Sequence, residues 1–197
     1  MLLYDSPPSG NCYKARLLLS QLGMQFERVE VDTRTKDGRG PVLGGKNPAL
    51  RVPVLELDDG RHLPESGAIL WYLAEGTDFV PDDRFDRARV LQWMFFEQYD
   101  HEPYIAVIRH RTMLGHLDDF ADSDERRDRG YKALDAMERH LGGHAFFVGD
   151  RYSIADIALY AYTHVAEEGG FDLSGYPEIN AWLSRVADEP GHIPIDD

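Results

Sequence analysis

The sequence predicts an α/β domain followed by an all-helical one. Three observations carry this. Short apolar runs alternate with helical segments across residues 1–77. Beyond Thr77 every strongly patterned segment has helical spacing. Charge divides at the same place: residues 1–77 carry a net of −1 and residues 78–197 a net of −13, together the −14 of the whole chain. We place the first domain at 1–77, a linker with Pro81 at 78–85, and the helical domain at 86–197.

Leu2 to Asp5 reads as a short buried strand, and Ser6-Pro7-Pro8-Ser9-Gly10 as a turn. Asn11 to Leu22 has Ala15, Leu18, Leu19 and Leu22 on one helical face, with Gly23 as its stop. Phe26 to Val31 alternates as a strand. Residues 32–50 are polar and Gly-rich, a loop with at most one short helix. Val52 to Leu57 and Arg61 to Leu63 flank Asp58-Asp59-Gly60, a favoured hairpin turn. Ser66 to Glu75 is helical and Gly76 ends it. The order βαβ, optional α, ββα makes the first two strands parallel and the hairpin antiparallel, a thioredoxin-like arrangement.

In the second half, Phe85 to Leu114 is helical with a bend expected at Pro103. Asp124 to Leu141 follows. Ser153 and Asp156 occupy the N-cap and N3 positions of a capping box that opens a helix through Tyr162. Pro177 to Ala187 is a last amphipathic helix, with residues 190–197 as a tail.

Composition narrows the function. The acidic balance leaves no basic stripe to neutralise phosphates, which argues against nucleic-acid binding. No apolar run approaches the roughly 20 residues of a membrane span. Cys12 is the only cysteine, so no intrachain disulfide forms, and a reducing compartment fits. Met1 to Asp5 turns polar too soon for a signal peptide. A cytoplasmic protein is expected. No His/Cys/Asp spacing suggests a metal site, and the loop glycines 38, 40, 44 and 45 lack the strand-to-helix setting of a phosphate loop.

Two short motifs carry chemistry. Pro53 stands inside a β-branched run, where it removes a ladder hydrogen bond and belongs to a strand start or special turn. Glu65-Ser66 stands at the mouth of an apolar helix, whose N–H groups and dipole can hold a carboxylate. Taken singly, these are a strand edge and a helix cap. Their order and spacing, with Ser9 to Ala15 (Ser-Gly-Asn-Cys-Tyr-Lys-Ala), Asn47-Pro48 and the Gly149-Asp150…Ser153-Ile154-Ala155-Asp156 segment, resemble the cytosolic glutathione S-transferase family, bacterial type with nu-, theta- and beta-like features.

The resemblance implies a set of roles. The backbone of Val52, before a cis Pro53, pairs with the cysteinyl unit of glutathione as an added strand would. Ser66 and its helix start take the γ-glutamyl carboxylate, and Glu65 faces the ammonium. Lys46, Arg39 and Lys36 are candidates for the glycine carboxylate, and Arg51 stands close by. The thiol must be held as thiolate by donors at the start of the first helix. Asn11 falls where nu-class enzymes carry an asparagine, Ser9 where they carry Thr or Ser, and Cys12 where beta-class enzymes carry a cysteine. Asn11, with Ser9 next, is the leading thiolate donor. Cys12 reads either as a packed small residue or as a thiol that forms a mixed disulfide. Tyr4 lies within a strand and reads as packed core. Tyr99, His101, Tyr104, Ile105, Ile108 and Arg109, around Pro103, are candidates for an electrophile pocket between the domains. The implied activity is attack of glutathione thiolate on a small hydrophobic electrophile, without a metal. The alternatives are a nu-type disulfide or hydroperoxide reductase and a non-enzymatic interaction protein. A homodimer is expected, on the resemblance and on Trp93 and Phe96 as surplus apolar surface.

Overall fold

The computed structural model describes residues 1–33 and 36–197, without the side chains of 36 and 37. The chain forms two compact units. One comprises Met1–Thr77 with Pro190–Asp197, the other Asp78–Glu189.

The first unit holds a four-stranded sheet in the order β2-β1-β3-β4, from β1 (Leu2–Asp5), β2 (Glu27–Glu30), β3 (Val54–Glu56) and β4 (His62–Pro64). β1 runs parallel to β2 and antiparallel to β3, with Tyr4 opposite Val54. The hairpin closes with Leu55 opposite Leu63. Three helices complete the unit: α1 (Gly10–Gln21), α2 (Lys36–Leu43) and α3 (Ser66–Ala74). One sheet face packs Tyr4, Val31, Leu43 and Val54 together. Alternation puts Leu3 and Leu55, both fully buried, on the other face. Tyr4 is core, as its strand position predicts. Its hydroxyl donates to Glu56 at 2.7 Å, and burial with that carboxylate pushes its pKa up to about 12.

α1 departs from an amphipathic pattern. It is buried nearly all round, including Lys14 and Arg16. Arg16 is the reason that residues 190–197 join this unit instead of the helical one. Its guanidinium meets Asp5 at 2.6 Å, the Pro7 carbonyl at 3.0 Å and the Ile195 carbonyl at 2.5 Å. Tyr13 donates to the Ile193 carbonyl at 2.7 Å, and Arg28 to that of Asp197 at 2.8 Å. A buried ion pair gains little by itself. Here the tail carbonyls satisfy donors that the pair leaves over.

The second unit is helical: α4 (Arg84–Phe96), α5 (Glu102–Met113), α6 (Ser123–Leu141), α7 (Ile154–Thr163) and α8 (Pro177–Ala187). The bend expected at Pro103 takes the form of a π turn over Glu97–His101, between α4 and α5. Pro103 offers no N–H and its ring crowds the carbonyl four residues back. One extra residue in the turn lets the Glu102 N–H bond to the Glu97 carbonyl instead. Trp93 is not surplus surface. It is buried against Phe96, His140 and Phe147, with ring centroids 4.7–5.2 Å away. The exposed apolar side chains nearby are Phe85, Phe95 and Tyr99.

The capping box of α7 organises this unit. Ser153 and Asp156 cap each other's backbone. Asp156 also accepts from the Phe147 N–H at 3.1 Å and the Trp182 indole at 3.0 Å, so one carboxylate joins a loop, α7 and α8. Burial nonetheless raises its pKa to about 6. A carboxyl whose folded pKa lies above its unfolded value stabilises most below the unfolded value, and loses that contribution as pH rises through the folded one. Wild type should therefore lose stability relative to Asp156→Asn between about pH 4 and pH 6, on the order of 3 kcal/mol. Urea unfolding of both proteins across that range checks it; parallel curves would refute it.

Candidate functional site

The sequence folds two helix starts toward one corner of the first unit. α1 begins where the Pro7-Pro8 turn stops β1, with the Ser9 N–H bonded to the Ser6 carbonyl at 2.9 Å. Ser9 is its N-cap, its side-chain oxygen accepting from the Cys12 N–H at 3.3 Å. α3 begins differently. Its N-cap residue, Glu65, makes no side-chain cap bond, and its first turn holds no acidic residue. Its leading N–H groups are therefore suited to an anion. Glu65 has φ +73°, a conformation that costs a non-glycine residue about 1–3 kcal/mol.

Asn11 and Ser66, distant in sequence, meet here. The Ser66 hydroxyl donates to Asn11 Oδ1 at 3.2 Å, and Lys14 Nζ donates to the same oxygen at 2.8 Å. Lys14 is only 1% exposed. The Asn11 oxygen thus accepts from two side chains, one on each helix start. The sequence reading passed over Lys14. Its signal was a cation within an apolar helical run, three residues after Asn11.

Cys12 points away from this chemistry. It is fully buried, and burial with the nearby Asp5 charge pushes its thiol up to about 12. A thiol so protonated is a poor nucleophile. The packed reading is the one its surroundings favour.

The Val52–Pro53 peptide is cis. Pro53 is buried and Val52 half-buried. The turn before them is stitched by Asn47, whose amide donates to the Arg51 carbonyl at 2.8 Å and accepts from the Ala49 N–H at 2.9 Å. Asn47 is itself buried. Among the basic candidates, Lys46 Nζ lies 5.1 Å above the Tyr4 ring. Arg39 donates to the Thr33 carbonyl, and Arg51 is exposed. The Lys36 side chain lies outside the described residues. Asn47→Ala should cost about 1–3 kcal/mol by removing two part-buried hydrogen bonds to the backbone. Thermal unfolding measures this, and a cost below about 0.5 kcal/mol would refute the stitch.

The electrophile-pocket candidates of the helical unit do not share one surface. Tyr99 is exposed. His101, Ile105, Ile108 and Arg109 are buried in packing: His101 Nε2 lies 2.9 Å from the Thr163 hydroxyl, and Arg109 donates to Glu168 at 2.7 Å. Side chains so covered cannot line an open pocket. Spacing around Pro103 could not tell inward from outward, because the π turn shifts the helical phase. Tyr104 borders a cleft of about 410 Å³, with Phe96, Asp100, Arg129, Lys132 and Ala133. Arg129 donates to its hydroxyl at 3.0 Å. Among the described residues no group of three or more His, Cys, Asp or Glu is placed to hold a metal ion. No helix of the described residues is long and apolar enough to cross a membrane.

The comparisons agree with this geometry. The family described as "Glutathione S-transferase, N-terminal domain" matches residues 8–75, and "Glutathione S-transferase, C-terminal domain" matches residues 96–190. A glutathione S-transferase structure from Pseudomonas fluorescens is 50% identical, with a TM-score of 0.95, covering 100% of this chain and 98% of that one. A possible glutathione S-transferase from Rhodopseudomonas palustris is 47% identical, with a TM-score of 0.91, covering 100% and 97%. The maleylacetoacetate isomerase of Rhizobium meliloti is 33% identical over 94% of this chain and 91% of its own. Two matched halves, an α3 start without a side-chain cap and a Val-Pro turn held by Asn47 lead to one conclusion: the chain belongs to the glutathione S-transferase family.

Proposed function

We propose that this protein is a glutathione transferase that binds glutathione in its first unit and uses the thiolate to attack a small hydrophobic electrophile. The observation that carries the reading is the start of α3, whose N-cap residue Glu65 makes no side-chain cap bond, bonded through Ser66 to Asn11 at the start of α1. The α3 N–H groups and Ser66 suit the γ-glutamyl carboxylate, with Glu65 near its ammonium. The backbone of Val52 pairs with the cysteinyl unit. Asn11 and Ser9 are neutral donors, so they stabilise the thiolate while water or buffer takes the proton. The protein contributes positioning and stabilisation of the thiolate.

Two measurements test this. Calorimetry with glutathione should show Ser66→Ala weakened by about 1–3 kcal/mol, as for a charge-assisted bond; unchanged affinity would remove Ser66 from the site. The pH–rate profiles of Asn11→Ala and Ser9→Ala with an aromatic halide should shift to higher pH, while Cys12→Ala stays close to wild type. Assays with a glutathione mixed disulfide and a hydroperoxide decide between conjugation and reduction. Loss of both activities in Cys12→Ala alone would overturn the neutral-donor mechanism.

We also propose a homodimer in the cytoplasm. Phe85, Phe95 and Tyr99 are each more than two-thirds exposed and fall within one helical face along α4 and the π turn. Light scattering should give twice the 22.4 kDa of one chain, and Phe95→Glu should return the monomer mass. A wild-type monomer at micromolar concentration would contradict this.

A further inference from the structure

Residues 191–197 are held to the first unit through their backbone. Every second carbonyl accepts from a side chain: Gly191 from Ser20 at 2.8 Å, Ile193 from Tyr13 at 2.7 Å, Ile195 from Arg16 at 2.5 Å and Asp197 from Arg28 at 2.8 Å. Ser20, Tyr13 and Arg16 lie on α1, and Arg28 lies on β2. The approach is close at the start of this strap, where a Cβ on Gly191 would stand 2.9 Å from Gln21 Cα.

The strap covers an ion cluster that also reaches the start of α1. Arg16 and Asp5 are each 1% exposed. Arg16 Nη1 donates to Asp5, and Arg28 meets the same carboxylate at 2.7 Å. Arg16 Nη2 donates both to the Ile195 carbonyl and, at 3.0 Å, to that of Pro7. Pro7 belongs to the turn that ends at Ser9, the N-cap of α1. Pro7 and Pro8 have no N–H, so neither can donate to hold the turn, and the Pro7 carbonyl is gripped from outside. One nitrogen of Arg16 thereby joins the strap to that turn.

We propose that residues 191–197 are a latch on the thiolate site, and that Arg16 is the positioning residue that passes their docking to the Pro7–Ser9 turn. This rests on the glutathione reading above, in which the start of α1 faces the thiol. With the strap docked, the guanidinium meets carbonyls in place of water and holds the Pro7 carbonyl in one position. With the strap lifted, water competes for the same nitrogen and the turn gains freedom.

A donor stabilises an anion through fixed geometry. Lost order at Ser9 therefore lowers the ionised fraction of the bound thiol. In the same reading the α3 start and Val52 hold the rest of the tripeptide, so affinity changes far less.

The test keeps the full chain and compares wild type with Gly191→Ala, Ser20→Ala and Gly23→Ala. Gly191→Ala pushes the strap off α1, because every atom that its Cβ would crowd is main chain. Ser20→Ala removes one strap bond without a clash, and serves if Gly191→Ala does not fold. Gly23→Ala is the control: its φ of +64° carries similar left-handed strain, but nothing lies within 4 Å of its added Cβ. The readouts are the ultraviolet absorbance of bound thiolate near neutral pH, glutathione affinity by calorimetry, and hydrogen exchange of the Ser9 and Cys12 amides. Circular dichroism reports folding. Gly191→Ala should lower the thiolate fraction about three- to tenfold, the worth of one hydrogen bond, and should speed exchange at Ser9 and Cys12. Its glutathione affinity should change far less. Ser20→Ala should move the same way by a smaller factor, and Gly23→Ala should match wild type. By linkage, glutathione should slow exchange across residues 190–197 of wild type. A wild-type thiolate fraction in folded Gly191→Ala or Ser20→Ala overturns the proposal. So does an equal loss in Gly23→Ala, a change confined to affinity, or a strap whose exchange ignores glutathione. A wild type that binds no glutathione overturns the functional reading and this inference with it. A wild type that binds and ionises glutathione beside unaltered strap variants overturns the latch alone.

Discussion

One hydrogen bond joins two helix starts of the first unit, from the Ser66 hydroxyl to Asn11 Oδ1. It ties together the starts of two helices that come from opposite ends of the first unit's fold. One is set by the strand β1 and its proline turn, the other by the hairpin β3–β4. Each helix start brings N–H groups and a positive dipole end. Alone, either is a common feature. Joined, they make a corner with donors on two sides.

The helical unit is organised on a different principle. Its hub is a buried carboxylate, Asp156, that accepts from Ser153, Phe147 and Trp182. A single acidic residue thereby replaces several separate caps. The remaining acidity of this half is carried mostly at the surface, which keeps the like charges in water.

Much of this was legible in the sequence. Strand alternation, the Asp-Gly turn and the Ser153/Asp156 box gave the elements to within a residue or two, because each depends on local chemistry. Asn11 and Ser66 were legible as motif positions, but their meeting was not, since periodicity carries no information on contacts between distant segments. Lys14 and Arg16 were missed because a charge on a helix normally marks the solvent face. Here that rule fails twice on one helix. Trp93, His101 and Arg109 were read as surface or pocket. For His101 and Arg109 the π turn explains this, because an added residue shifts the helical phase and no residue pattern announces the shift; Trp93 lies before that turn and is covered by His140 and Phe147, which are distant in sequence. The tail was assigned to the helical half because it follows it in sequence, whereas its carbonyls answer donors on α1.

That last feature bears on synthesis. The first unit is discontinuous, with the helical unit inserted between its main body and its closing strap. As the ribosome delivers the chain, Asp5 and Arg16 emerge before the helical unit, but the Ile195 and Ile193 carbonyls that accept from Arg16 and Tyr13 are translated after it. The early segment must wait, with water in the place of those acceptors, until the later unit has been made. Vectorial folding here cannot run strictly in chain order: the sheet-bearing unit is begun before the helical unit and completed after it.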